Sequence, residues 1–443
     1  MKVYLETLGC PKNLVDAQGM VRLLKHHNHR LVDDPGQAEV LIVNTCGFIE
    51  DAREESIAEL RELAGQKRAG QLLIAAGCLS QYWGEALVKA VPGLDALLGT
   101  RRWNEILALI KDLQRHREAD PRAPLSLLGE SVLSSEDGGP QIARQGVSAY
   151  LKIAEGCSAP CAFCAIPLIR GPAVSRPVDE VVLDAVDAVR QGVKEIILIA
   201  QDTTAYGRDR GKRDALPRLI ESILDAAPAL HWLRLMYAYP GQVSPRLIEV
   251  MATDPRVCHY LDLPLQHGHP DVLRRMNRPA NVDRTARLIK DLRRAIPDIA
   301  LRTSFIVGYP GETQSEFDAL LDFVSECRFD RVGVFQYSPE TGTPAAKLPR
   351  AVPEGVKAER YDRLMALQQG ISLEISQAQV GRVLDVLIEG VGDGIALGRS
   401  YRDAPEIDGL VIVLEELAVG EIVPVQITGA MEYDLVGEVA CNT

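Results

Sequence analysis

Three apolar runs near the start of the chain each end on a cysteine: "KVYLETLGC" at Cys10, "AEVLIVNTC" at Cys46 and "QLLIAAGC" at Cys78. Between them lie "AQGMVRLLKHH" and "AREESIAELRELA", whose apolar spacing is helical. Near-continuous apolar runs separated by amphipathic helices read as buried parallel strands of an open α/β sheet. The carboxyl ends of such strands gather along one edge, where ligands bind, so three cysteines far apart in sequence can converge. Taken singly, each is an ordinary buried thiol. The repetition points instead to one shared ligand, and Gly9, Gly47 and Gly77 would let a bulky group approach the backbone.

From Ser148 to about Arg350 the alternation returns, with strands expected at "YLKIAE", "EIILIA", "WLRLMY", "YLDLPL", "LRTSFIV" and "RVGVFQY". Six strand–helix units predict a partial (β/α)6 barrel with its chemistry at the strands' carboxyl ends. The first of these strands runs directly into "EGCSAPCAFC", which carries Cys157, Cys161 and Cys164. Thiolates are soft ligands that suit iron–sulfur clusters or zinc. A closed zinc site takes four ligands, and no neighbouring His or Cys completes one here. The spacing also differs from the four-cysteine run of a bacterial ferredoxin. Three cysteines on a 4Fe–4S cluster would leave one iron open to an external ligand. Zinc and simple electron transfer remain the alternatives on the residues alone.

The chain divides by pattern into residues 1–115, a Pro-, Gly- and Ser-rich linker or functional loop at 116–147, a central domain at 148–370 and a C-terminal domain at 371–443. In the last, "GRVLDVLIEG", "GIALGRS", "GLVIVL", "EIVPVQITGA" and "DLVGEVA" read as five short strands of a small all-β, OB-like barrel. The formal net charge of the chain is −12. Residues 371–443 hold 13 acids and three bases (Arg382, Arg399 and Arg402), a net of −10, so nearly all the imbalance sits there. Such a domain repels phosphate backbones and favours a basic partner, although solubility alone explains it equally well. No apolar stretch reaches membrane-spanning length, and the opening "MKVYLETLGC" lacks a signal-peptide profile. Nine cysteines without an export signal suit a reducing, cytoplasmic setting.

The motifs "GCPKNLVDAQ", "NTCGF", "AEGCSAPCAFCAIPLIRGPAVSRP", "LIAQDTTAYG", "LPLQHG", "RRMNRP", "RTSFIVGYPGET" and "YSPETGTPA" span almost the whole chain. Together they resemble the radical S-adenosylmethionine methylthiotransferase family, with an N-terminal three-cysteine domain, a radical barrel and a C-terminal TRAM barrel. The resemblance implies two 4Fe–4S clusters and S-adenosylmethionine as cofactors. Cys157, Cys161 and Cys164 would hold the cluster that cleaves the sulfonium to a 5′-deoxyadenosyl radical. Cys10, Cys46 and Cys78 would hold an auxiliary cluster that carries sulfur, is methylated by a second S-adenosylmethionine and delivers the methylthio group. Phe163, Gln201, Gln266, Arg302, Thr303, Ser304 and Gly308 are candidate cofactor contacts, Arg302 as a fork for the methionine carboxylate and Gly308, with Gly311, for close approach to the adenosine. Each could equally be an ordinary strand end or turn. One departure is Asp16–Ala17–Gln18, where the family commonly reads Asp-Ser-Glu.

Two branches of the family compete. One modifies a tRNA adenosine; the other modifies the β-carbon of an aspartate in small-subunit ribosomal protein twelve. "YLKIAEGC", "CAFCAIPLIRG" and "YSPETGTPA" look closer to the protein-modifying branch, and the acidic C-terminal domain points the same way, because RNA binding draws on Lys and Arg. The expected partners are therefore that basic protein and an unidentified electron donor, with nucleic acid not dominating and no membrane. The tRNA enzyme is the alternative, and a non-catalytic iron–sulfur or zinc module a third reading. His267 reads as structural, Arg274, Arg275 and Arg278 as helix-end charges, and Cys258, Cys327 and Cys441 as non-ligands.

Overall fold

The computed structural model describes residues 1–119, 124–129 and 139–440. Cys441 lies outside the described residues, as do 120–123 and 130–138 of the segment read as a linker.

Six parallel strands form the first sheet: β1 (Lys2–Thr7), β2 (Arg30–Leu31), β3 (Val40–Thr45), β4 (Leu72–Gly77), β5 (Ala96–Gly99) and β6 (Leu125–Leu127), in the order β2-β1-β3-β4-β5-β6. The apolar runs are continuous because both faces are covered. Val40, Ile42, Leu72 and Ile74 pack with Met20 and Leu24 on one side, while Leu41, Val43, Leu73 and Ala75 pack with Leu60 and Leu63 on the other. Strand order reverses between β1 and β3, and the crevice outside the carboxyl ends at such a switch point is where ligands sit. Helix α1 (Pro11–His26) leaves β1 there, with Cys10 as its N-cap.

Residues 116–147 contribute more than a connection. Leu125–Leu127 forms β6 beside β5, and Ile142–Gln145 forms β7, an antiparallel edge strand on the second sheet. Strands of three and four residues carry too little alternation to stand out from a Pro- and Gly-rich background. The second sheet runs β15-β14-β13-β12-β11-β8-β7, with β8 (Ser148–Lys152), β11 (Glu195–Ile199), β12 (Trp232–Leu235), β13 (Val257–Asp262), β14 (Ala300–Val307) and β15 (Arg331–Gln336) all parallel. These are the six strands of the partial barrel. A two-stranded pair, β9 (Ala154–Glu155) with β10 (Val174–Ser175), closes the base of the loop that carries Cys157, Cys161 and Cys164.

One face of this sheet packs under its crossover helices. The other bears Tyr150, Ile197, Ile199, Cys258, Tyr260 and Ala300, and is covered by Val15 of α1 and by Leu387 and Ala404 of the C-terminal domain. That domain is a closed five-stranded barrel of β16 (Val383–Gly392), β17 (Ile395–Arg399), β18 (Val411–Val413), β19 (Ile422–Ala430) and β20 (Leu435–Val439).

Buried ion pairs fasten the small barrel. Arg399 reaches Glu195 (2.6 Å) and Glu389 (2.7 Å), and Arg234 takes the other oxygen of Glu195 (2.7 Å). Arg331 pairs with Asp403 (2.8 Å) and Arg402 with Asp330 (2.5 Å). Burial alone would raise the Glu195 carboxyl, but Arg399 and Arg234 hold it down to about 2. A carboxyl depressed in the folded state stabilises fully above its unfolded value near 4.3 and loses that contribution as pH falls towards 2. Removing one member of such a network leaves an unpaired buried charge, at a cost of about 3–5 kcal/mol. Glu195→Gln is therefore expected to lower stability by that order at pH 7, with the gap to the wild type shrinking between about pH 5 and pH 2. Denaturant unfolding across that pH range checks both parts.

Candidate metal centres

Cys10, Cys46 and Cys78 follow three adjacent strands, β1, β3 and β4, at one edge of the first sheet. Gly9, at φ +90°, makes the approach possible: a Cβ there would lie 2.7 Å from Cys46 Cβ and 2.9 Å from its Sγ. Asn13 stitches the loops together, its Nδ2 donating to Leu8 O (2.9 Å) and Thr45 O (3.0 Å) while its Oδ1 accepts from Cys78 Sγ (3.5 Å). Burial pushes the Cys46 thiol up to about 11 and also raises Cys78, with the neighbouring sulfurs adding to both. Cys10 goes the other way. Burial would raise it, but Lys12, Arg170 and the N–H groups of Asn13 and Lys12 draw it below the ordinary thiol value.

The second trio sits beyond β9. Gly156, at φ +72°, turns the chain where a Cβ would lie 2.6 Å from Gly171 O and closer still to Pro172 O. Cys157 N then donates to Gly171 O (3.0 Å), Ala162 N to Met276 O (2.9 Å) and Ala345 N to Ala162 O (2.8 Å), so the loop is held from both sides. Burial raises the Cys157 and Cys164 thiols, the latter to about 12. Arg278 was expected only to solvate a helix end. Instead its guanidinium lies over the Tyr239 ring at 4.1 Å and donates to Cys161 Sγ at 3.6 Å.

A buried charge network joins the two loops. Lys152, at the end of β8, donates to Asp16 of α1 (2.6 Å) and to Glu155 (2.8 Å). Arg170, which closes the helix Ile166–Arg170, reaches Glu155 (2.7 Å), Asp16 (3.2 Å) and Asn13 Oδ1 (2.7 Å). Lys152, Arg170 and Asp16 are each at most 2% exposed. Burial would raise the Glu155 carboxyl, yet Arg170 and Lys152 hold it well below the usual carboxylate range. Arg170 also lowers the Cys78 thiol against the larger effect of burial, so a side chain of the second domain acts on a sulfur of the first.

The remaining sequence candidates separate by position. Phe163 packs among Val272, Met276, Tyr309 and Tyr337. Gln201 follows β11, and Gln266 follows β13 at φ +75° with its backbone bridged to Phe305. Thr303 Oγ1 donates to Leu263 O (2.9 Å) and accepts from Leu265 N (3.1 Å), which makes it a strand tie. Ser304 is buried on β14, and Gly308, at φ +73°, leaves room for the Lys357 stem. Two nitrogens of the Arg302 fork are already engaged, Nη1 by Asp262 (2.9 Å) and Nε by Asp408 of the small barrel (3.4 Å). Gln18 resolves the departure at the α1 start. Its amide donates to Arg144 O and accepts from Arg144 N, both at 3.0 Å, a pair of bonds that a glutamate could not complete. His267 is buried and accepts from His269 N (3.0 Å), with burial lowering it to about 3, as suits a structural residue. Cys258 and Cys327 are buried away from both trios.

The cysteine trios are not drawn in around a single ion. Among the described residues only His269, Asp271 and Glu316 bring three possible ligand atoms within 4.8 Å of one another, and neither cysteine trio does so. A zinc ion with Zn–S bonds of about 2.3 Å needs its sulfurs roughly 3.8 Å apart. Asp271 and Glu316 are paired with Arg274 and Arg275, and His269 Nδ1 accepts from Asp271 N (3.2 Å).

Residues 2–99 match the model of uncharacterized protein family UPF0004, residues 151–324 that of the radical SAM superfamily and residues 380–440 that of the TRAM domain. Relatives named ribosomal protein uS12 methylthiotransferase RimO are similar over the full length. That of Chloroflexus aurantiacus is 50% identical, covering 99% of this chain and 99% of its own. That of Desulforamulus reducens is 44% identical, also with 99% of each covered. The chain belongs to the RimO family. Solved structures support the fold: the radical S-adenosylmethionine methyltransferase TsrM of Kitasatospora setae aligns with a TM-score of 0.56 at 16% identity, over 87% of this chain and 77% of that one. The cobalamin-dependent radical enzyme OxsB aligns at 0.52 and 12% identity, over 84% of this chain and 56% of that one.

In this RimO-family chain the residues that reading the sequence missed are Asn13, Asp16, Lys152, Glu155 and Arg170. The one visible signal was a lysine and a glutamate inside the otherwise apolar "YLKIAE". Gly156→Ala is expected to disrupt the Cys157 loop alone, cutting bound iron after anaerobic reconstitution to about half while circular dichroism stays unchanged. Iron at the wild-type level would contradict the assignment.

Proposed function

We propose that this chain is a radical S-adenosylmethionine methylthiotransferase that places a methylthio group on the β-carbon of an aspartate in ribosomal protein uS12. The observation that carries the reading is that the loops bearing the two cysteine trios are tied to each other by one charge network. The full-length relatives named for that activity support it. When bound, two 4Fe–4S clusters and S-adenosylmethionine would supply reductive cleavage of the sulfonium and transfer of sulfur with its methyl group.

The residues that would hold these groups are Cys157, Cys161 and Cys164 for one cluster and Cys10, Cys46 and Cys78 for the other. Phe163, Gln201, Gln266, Ser304 and Gly308 remain candidates to line the cofactor at the strands' carboxyl ends. The protein's own part is to fix the two loops at a constant separation and to exclude water between them, which protects reactive species from side reactions. Electrons come from an external donor.

The small barrel favours a protein substrate over RNA. Of its three bases, Arg399 and Arg402 are consumed in buried ion pairs, leaving Arg382. Asp385, Glu389, Asp393, Glu406, Glu415, Glu416, Glu421 and Glu438 are exposed. A surface of that sign repels phosphates and attracts a basic protein. Among the described residues no helix is long and apolar enough to cross a membrane, and a ribosomal substrate would place the reaction in the cytoplasm.

Two measurements test the reading. Incubating reduced enzyme and S-adenosylmethionine with uS12 or with tRNA, followed by mass analysis, is expected to give a methylthio adduct on the protein; an adduct on tRNA alone would overturn the substrate. Cys157→Ala is expected to abolish 5′-deoxyadenosine release, whereas Cys46→Ala spares release and loses thiomethylation. Full product from both variants would overturn the ligand assignment.

A further inference from the structure

Lys12 is the cation of the interdomain region that no carboxylate claims. It lies in the first turn of α1, a turn with no acidic residue, and is 5% exposed. Among the described residues its ammonium makes no ion pair or hydrogen bond; its contact is the face of Tyr237, 3.3 Å from the ring centroid. The carboxylates around it are already taken. Asp16 and Glu155 serve Lys152 and Arg170, and Asp262 serves Arg302, which leaves the Cys10 thiol as the acidic group that Lys12 acts on. A buried cation is retained where something pairs with it, and a π-face compensates only part of what a carboxylate would.

Tyr237 supplies an independent observation. It sits at φ +61°, a conformation rare for an aromatic residue. The surroundings impose it: Tyr237 N donates to Asp262 Oδ2 (3.1 Å), and its carbonyl accepts from Thr203 N (3.0 Å) and Thr203 Oγ1 (3.2 Å). Backbone strain held in this way gathers at ligand-binding positions. Here it presents the ring at the carboxyl end of β12, facing the first turn of the helix that Cys10 caps.

We propose that Lys12, seated on Tyr237, is the subsite that pairs with the side-chain carboxylate of the substrate aspartate. The inference rests on the uS12 reading above and adds the residue that recognises the reacting side chain. The chemistry is direct, because the β-carbon of aspartate bears that carboxylate. Fixing the carboxylate therefore places the reacting carbon one bond away, two residues in sequence from a proposed ligand of the auxiliary centre. An asparagine has the same shape without the charge and would be discriminated against.

The test uses the reconstituted holoprotein and two fluorescently labelled uS12 peptides spanning the target residue, one with the native aspartate and one with asparagine in its place. Binding is read by anisotropy and iron by assay. The wild type is expected to bind the aspartate peptide at least about tenfold more tightly, as befits a charge-assisted bond. Lys12→Met is expected to bind both peptides alike, at the asparagine level, and Lys12→Arg to restore part of the preference. Equal binding of the two peptides by the wild type would overturn the proposal whatever the variants do, and so would a Lys12→Met protein that keeps its preference, with or without its iron. In either case a methylthio adduct on uS12 leaves the functional reading standing; if no adduct forms on uS12, both fall.

Discussion

The structure depends on a quartet of charges, Asp16, Lys152, Arg170 and the partly exposed Glu155, the first three fully buried. Desolvating four charges is expensive, and the cost is offset only while every partner is present. Asp16 comes from the first domain and the other three from the second, so the two domains cannot slide without stranding a buried charge. The quartet also stands directly behind both cysteine loops. Asp16 lies on the helix that Cys10 caps, Glu155 starts the Cys157 loop, and Arg170 ends the short helix that follows Cys164. Locking the quartet therefore locks the separation of the two centres. A transfer between two sites needs that constancy, because displacement of about 1 Å in a reacting geometry costs on the order of 100-fold in rate.

Much of this architecture was legible in the sequence. The apolar runs of the first sheet are continuous because alternate residues serve two cores, and each run stops at the sheet edge where its cysteine stands. The six strands of the second sheet and the five of the small barrel stand out for the same reason, an apolar period interrupted by glycine. What escaped notice was set by partners distant in sequence. β6 and β7 are short edge strands that exist by pairing with β5 and β8. Lys152 has meaning only beside Asp16, a residue of another domain. Arg302 reads as a free fork in the sequence, but Asp262 and Asp408, the latter from the small barrel, engage two of its nitrogens. Arg278 looked like a solvated helix end, yet it stacks on Tyr239 and touches Cys161.

The small barrel shows why net charge is best read together with burial. Its few basic side chains are mostly structural: Arg399 and Arg402 are spent in docking, along with Asp403 and Asp408. The surface that remains keeps the same net charge on fewer groups, with acids spread around the barrel and Arg382 as the base left over. The same docking covers the inner face of the second sheet from one end while α1 covers it from another. The small barrel grips the amino ends of the strands, at Ser148, Glu195 and Arg331, while α1 lies towards the cysteine loops at the carboxyl ends, each held by ion pairs rather than by the chain connections alone.

The most direct test of the account is the location of iron in crystals of the anaerobically reconstituted protein, read by anomalous scattering at the iron edge. Two compact iron centres are expected, one against the sulfurs of Cys10, Cys46 and Cys78 and one against those of Cys157, Cys161 and Cys164. A single centre, or a metal held by one trio together with side chains other than these six cysteines, would contradict it.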